Sequence, residues 1–100
     1  YIDLIVQAGY TFTFEGGRQR GLVEDCPAVL FLARGSSYGA GSGLEELEFQ
    51  QSYLEAVLKF IGCKDVTAHV VEPTGRKGPE VAQKALDNVI RRARADAAEF

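Results

Sequence analysis

Chemistry in this chain has few places to come from. The stretch Arg34-Gly35-Ser36-Ser37-Tyr38-Gly39-Ala40-Gly41-Ser42-Gly43 gathers glycines and hydroxyls into one loop, and glycine lets backbone N–H groups come close to an anionic or polar ligand. The phosphate-binding P-loop requires Gly-Lys-Ser/Thr, which occurs nowhere. A dinucleotide fingerprint is nearer, because Gly39, Gly41 and Gly43 follow an apolar run and Glu72 ends the next one, where a ribose-binding acid would sit. Its spacing is nevertheless GxGxG rather than GxGxxG, and the loop is too long for the tight turn that seats a pyrophosphate on a helix N-terminus. Cys26 and Cys63 form no CxxC and no Cys/His cluster and adjoin apolar elements, which predicts buried free thiols rather than a catalytic or disulfide pair. His69, the sole histidine, has no second imidazole for a metal and predicts a packed or edge-strand side chain with no metal site. No Ser/His/Asp constellation exists, so no catalytic side chain is assigned.

The elements that would position the loop follow from hydrophobic spacing. Pro27 to Ala33 is apolar at successive positions, the mark of a strand covered on both faces in a parallel sheet between helices. Ligands in such sheets lie beyond the carboxyl ends of the strands, where the Arg34–Gly43 loop departs. Upstream, Tyr1 to Ala8 reads as the last turns of a helix closed by Gly9. Thr11 to Phe14 reads as a short extended piece, Glu15 to Gly21 as a surface loop, and Leu22 to Asp25 as the lead into the strand.

Downstream, Leu44 to Gly62 has helical periodicity with two stripes. Leu47, Leu54, Val57, Leu58 and Ile61 would cover the sheet. Phe49, Tyr53, Ala56 and Phe60 need a further partner: a neighbouring helix, a second subunit or a ligand. Val66 to Val71 reads as a less completely buried edge strand, residues 73–79 as a turn-rich loop, and Glu80 to Phe100 as a helix with Pro79 in its first turn. Its expected buried stripe is Ala82, Ala85, Leu86, Val89, Ile90 and Ala93. Crossovers of helical length make the two long strands parallel. Two parallel strands cannot stand alone, so the pattern predicts further strands from an N-terminal half or another chain. A start at Tyr1 inside an apolar pattern, and the absence of methionine, point the same way.

Composition narrows the partners. A net charge of −3 argues against nucleic acid or an anionic membrane, and the Arg91, Arg92 and Arg94 cluster shares its helix with Asp87, Asp96 and Glu99. With no apolar run of spanning length and no signal peptide, the expectation is a cytoplasmic protein.

Several segments carry a resemblance. Thr11-Phe12, the Ala33-Arg34-Gly35-Ser36 turn, Leu47-Glu48-Phe49-Gln50 with Tyr53-Leu54, Leu58-Lys59-Phe60-Ile61-Gly62 with Asp65-Val66, and Gly78-Pro79-Glu80 resemble the C-terminal half of the FMN-dependent NADH azoreductases and related NAD(P)H quinone reductases. The resemblance implies an α/β flavodoxin-like fold with a parallel sheet in the order 2-1-3-4-5. Residues 1–100 would be the C-terminal half of that one domain, holding strands four and five with three helices. It implies FMN as cofactor, NADH or NADPH as electron donor, a small aromatic quinone or azo substrate, and a homodimer.

By the same resemblance, Ala33, Arg34, Gly35 and Ser36 contact the flavin, largely through backbone groups, while Phe12, Tyr38 and Phe60 line the substrate side. The family's usual Ser-Arg-Gly-Gly turn differs from this one at Ala33 and Ser36. A non-catalytic flavodoxin-like interaction module that has lost flavin binding is the alternative. A dinucleotide binder using Gly39 to Gly43 and Glu72 is a third.

Overall fold

The computed structural model describes residues 1–99; Phe100, the last residue of the expected C-terminal helix, lies outside them. In chain order come α1 (Ile2–Ile5), β1 (Phe12–Glu15), β2 (Arg18–Gly21), β3 (Ala28–Ala33), a 3-10 turn (Glu45–Leu47), α2 (Gln50–Ile61), β4 (Val66–Val71) and α3 (Pro79–Glu99). The result is an α/β chain with three helices and two small sheets, β1 with β2 and β3 with β4. The Ala28 N–H donates to Asp65 O at 2.8 Å and the Arg34 N–H to Val71 O at 2.9 Å. Bonded partners therefore advance together, and β3 and β4 are parallel, as their long connection requires. The chain divides into two compact units, Tyr1–Val29 with Phe49–Thr67, and Leu30–Glu48 with the chain from Ala68 onward.

In the first unit, α1 ends at Ile5 rather than Ala8, and Val6 is already extended at φ −102°. Gly9 does not cap it. Thr11 captures Gln7 instead, accepting the Gln7 N–H at 2.9 Å on its hydroxyl and donating its own N–H to Gln7 O at 2.9 Å, a local closure that competes with helical bonding. Within the expected surface loop from Glu15 to Gly21, Arg18–Gly21 is a strand. Gly16 and Gly17, at φ +58° and +78°, form the two-residue turn favoured in hairpins, and Phe12 pairs with Gly21 through to Glu15 with Arg18. Helix α2 packs on β2, with the Phe12 ring 4.8 Å from that of Phe60 and 5.9 Å from that of Phe14.

Helix α2 also starts later than its periodicity suggests. The Leu44 N–H donates to Ser42 Oγ at 3.1 Å, a single 3-10 turn follows, and Glu48 is extended before the α-helix begins at Gln50. Its Leu54, Val57, Leu58 and Ile61 are covered, whereas Leu47, Phe49, Tyr53 and Ala56 are exposed. Gly62 ends the helix in the left-handed region at φ +117°. A Cβ on Gly62 would lie 2.4 Å from Val23 O, and one on Gly21 would lie 2.3 Å from Gly62 N. Backbone therefore touches backbone here, with no room for a side chain on either residue.

The strands reverse the expected order of burial. In β3, Leu30 and Leu32 are covered while Val29, Phe31 and Ala33 are exposed, Phe31 to 68%. The continuous apolar run is thus covered on one face only by this chain. β4, expected to be the less buried, holds the buried His69 and only Thr67 exposed. The His69 ring stacks 5.5 Å from Phe31, and its Nε2 lies 3.1 Å from Asp96 on α3. In α3 the covered line is narrower than expected: Ala82, Ala85, Val89 and Ala93 are covered, while Leu86 and Ile90 are exposed. Among the described residues, no helix is long and apolar enough to cross a membrane.

Replacing either close-contact glycine forces backbone apart. Gly62→Ala or Gly21→Ala is expected to destabilise the protein by about 3 kcal/mol or more, read from urea unfolding of the product of the complete reading frame. Gly75→Ala, whose Cβ would meet only Gly35 O at 4.0 Å, is expected to shift stability by less than about 1 kcal/mol.

Candidate functional site

The turn that leaves β3 is fixed from below by a buried cation. The Arg34 side chain is 9% exposed; its Nη1 lies 2.9 Å from Glu48 Oε1 and its Nε 3.2 Å from Glu72 Oε2. Its guanidinium carbon sits 5.6 Å from the centre of the Tyr38 ring, within reach of a cation–π attraction. Glu72 does double duty, accepting the Tyr38 N–H at 3.1 Å on the same oxygen. The cation thus ties together the end of β3, the residue that closes the 3-10 turn and the residue that follows β4. Guanidinium suits the place because its planar charge hydrogen-bonds Glu48 and pairs with Glu72 while one face meets an aromatic ring.

The backbone of the turn is asymmetric. Arg34 O accepts the Thr74 N–H at 2.9 Å and the Thr74 hydroxyl at 3.0 Å. Gly35 O accepts the N–H groups of Gly75 at 3.2 Å and Arg76 at 3.1 Å. The carbonyls are therefore committed to the loop after β4. The N–H groups of Gly35 and Ser36 make no hydrogen bond among the described residues. Two adjacent donors beyond the carboxyl end of a parallel strand can receive a negatively charged or polar edge.

The glycine-rich half of the loop is arranged differently. Gly41 and Gly43 take φ +82° and +80°, yet the Gly41 N–H is already bonded to Glu45 Oε1 at 2.7 Å. The Glu45 carboxyl is held below its ordinary value of 4.5 by backbone N–H groups, chiefly its own and that of Gly41. An anion of the chain itself fills the concavity a pyrophosphate would need. With Glu72 committed to Arg34 and Tyr38, the dinucleotide-binding reading of Gly39 to Gly43 and Glu72 loses both of its features.

Of the residues expected at a site, Arg34, Gly35, Ser36 and Tyr38 are brought together with Glu48, Glu72 and Thr74, and the exposed Ala33 precedes them at the strand end. Phe12 and Phe60 meet each other in the other unit. The anchoring roles of Glu48, Glu72 and Thr74 escaped the sequence reading. The register of the parallel strands, which sets Arg34 beside Val71, is the signal that would have drawn Glu72 to it. Among the described residues, no group of three or more His, Cys, Asp or Glu could hold a metal ion.

With this arrangement in view, similarity to known proteins is informative. The sequence profile of the flavodoxin-like fold matches residues 1–97, and the chain belongs to that family. It is 41% identical over 100 residues to the FMN-dependent NADH:quinone oxidoreductase of Nitratidesulfovibrio vulgaris (strain DP4), covering all of this chain and 48% of the relative. Its backbone matches the crystal structure of azoreductase AzrA with a TM-score of 0.88 at 27% identity, over 100% of this chain and 47% of that one. An FMN-dependent NADH-azoreductase from Bacillus anthracis str. Ames Ancestor, solved in complex with FMN, matches with a TM-score of 0.77 at 27% identity, over 94% and 45% of the two chains. The chain spans about half the length of the relatives it matches.

Two outcomes follow from the geometry. Glu72→Ala leaves the buried guanidinium short of a carboxylate and is expected to cost about 3 kcal/mol, whereas Thr74→Val, which removes one exposed hydroxyl bond, costs about 1 kcal/mol or less; denaturant unfolding of both variants separates them. For Glu45, a folded value below the unfolded one means that its contribution is complete above the ordinary carboxylate value. It is lost as pH falls through the lower folded value. The Gly41 amide proton is expected to shift in NMR over that acid range, and Glu45→Gln to abolish the shift.

Proposed function

We propose that this chain supplies one side of the flavin site of an FMN-dependent oxidoreductase that passes two electrons from NADH or NADPH to quinones or azo compounds. The reading rests on one observation, the turn at Arg34 to Ser36, in which the Arg34 and Gly35 carbonyls are spent on the loop after β4 while the N–H groups of Gly35 and Ser36 make no hydrogen bond among the described residues. Residues 1–100 then form the C-terminal half of one flavodoxin-like domain, with β3 and β4 as the fourth and fifth strands in the order 2-1-3-4-5. FMN, when bound, supplies the two-electron chemistry.

The chain's own part is electrostatic and positional. The Gly35 and Ser36 amides donate to the electron-rich edge of the ring, where negative charge is stabilised by preorganised donors. Arg34, neutralised by Glu48 and Glu72, holds the turn without offering its own side chain. Tyr38, stacked on that cation, lines the substrate side at the loop tip, and Phe12 and Phe60 line the substrate side over the flavin of the partner subunit. The departures from the family turn at Ala33 and Ser36 alter side chains and leave the backbone donors in place. The exposed Phe49 just before α2, with Tyr53 and Ala56 on it, is suited to the contact between two subunits of a homodimer.

The product of the complete reading frame is expected to carry the yellow flavin absorbance after purification or on addition of FMN. It is expected to reduce a quinone or an azo dye at the expense of NADH. A colourless protein that takes up no FMN overturns this function and leaves a non-catalytic flavodoxin-like module.

A further inference from the structure

The two cysteines, which share no sequence motif, are brought side by side by the backbone. The segment before β3 runs along the segment before β4 and is bonded to it on both sides of the cysteines. Val23 N–H donates to Ile61 O at 2.8 Å, and Ala28 N–H donates to Asp65 O at 2.8 Å. Cys26 lies two residues before Ala28 and Cys63 two before Asp65, and counted from Val23 and Ile61 the offsets are three and two, so the pair lies opposite to within one residue. The contact between Gly21 and Gly62 presses the same two segments together. Backbones joined at both ends of so short a stretch run side by side, and a disulfide needs roughly 4.4–6.8 Å between its Cα atoms. Burial, with the neighbouring Cys26 adding to it, pushes the Cys63 thiol up.

Their surroundings differ in a useful way. Cys26, expected from sequence to be buried, is exposed, and Cys63 is 3% exposed. Cys26 opens on a hollow of about 830 Å³ lined by Arg20, Lys59 and Lys64 and equally by Glu24, Asp25 and Asp65, so a small uncharged oxidant reaches this thiol. Cys63 is shielded from the oxidant and adjacent to the sulfur that meets it. Its backbone is fixed where α2 ends, with its N–H on Leu58 O at 2.9 Å.

We propose that Cys26 and Cys63 form a reversible peroxide-responsive disulfide site, in which the exposed Cys26 is oxidised first and the buried Cys63 resolves it. Cys26 sulfur attacks one oxygen of hydrogen peroxide, the O–O bond breaks, and Cys26 sulfenic acid and one water are formed. Cys63 sulfur then displaces the hydroxyl from Cys26, which leaves as a second water with the Cys63 proton, and the S–S bond forms. The two thiols lose two electrons in total and the peroxide gains them. A dithiol reductant reverses the reaction by exchange. Disulfides of this kind in reducing compartments are transient and sensing rather than structural.

The experiment needs neither flavin nor activity. The reduced product of the complete reading frame is treated with stoichiometric hydrogen peroxide, alkylated under denaturing conditions and digested with trypsin, which separates residues 21–34 from residues 60–64. The expected result is a cross-linked pair of these peptides, with both alkylations lost together and recovered on dithiothreitol treatment. In Cys26→Ser, Cys63 is expected to remain fully alkylatable at the same dose. Sulfinic or sulfonic acid on Cys26 with Cys63 still alkylated overturns the proposal, as does a cross-link found only between separate molecules.

Discussion

Order at the carboxyl end of β3 depends on a cation taken out of water. Removing a guanidinium from solvent costs several kcal/mol, and at Arg34 that cost is offset by Glu48, Glu72 and the face of Tyr38. Tyr38 lies four residues on in the same loop, but Glu48 and Glu72 are remote in sequence, so meeting the charge requires the 3-10 turn and the end of β4 to arrive at the loop. The charge therefore selects a single arrangement of segments that have little apolar surface of their own. Once the Arg34 side chain and the Arg34 and Gly35 carbonyls are occupied, the Gly35 and Ser36 N–H groups are the main-chain donors the turn can offer a ligand.

The first unit is organised by a steric constraint. Gly21 and Gly62 meet backbone to backbone, and Gly62 also supplies the left-handed residue that stops α2. One glycine therefore ends a helix and admits a neighbouring strand in the same place. That close approach is what sets the register of the segments entering β3 and β4, and with it the juxtaposition of two thiols far apart in sequence.

Much of this was legible before any coordinates. The continuous apolar run from Ala28 to Ala33, the stripe of Leu54, Val57, Leu58 and Ile61, and the Pro79 start of α3 each carry a strong local signal, and each element formed where its signal lay. The hairpin was missed because Gly16-Gly17 reads equally as a loop until the flanking residues are seen to pair. The late start of α2 was missed because helical spacing says nothing of Glu48, whose carboxylate leaves the helix for Arg34. Burial was misjudged for β3, β4 and Cys26, since hydrophobicity records what a face prefers to touch and not what this chain provides. The turn at Arg34 to Ser36 was found from its place at a strand end, but its anchors come from distant segments that only tertiary register brings near.

The uncovered face of β3 has a consequence for how this polypeptide behaves while young. Phe31 stands in the middle of a strand with its ring toward water, in a sheet of only two strands whose outer backbone edges carry no partner strand among the described residues. Sticky side chains beside open main-chain groups are the combination that lets nascent molecules stitch themselves to one another. A strand laid along the open edge would meet both exposures at once.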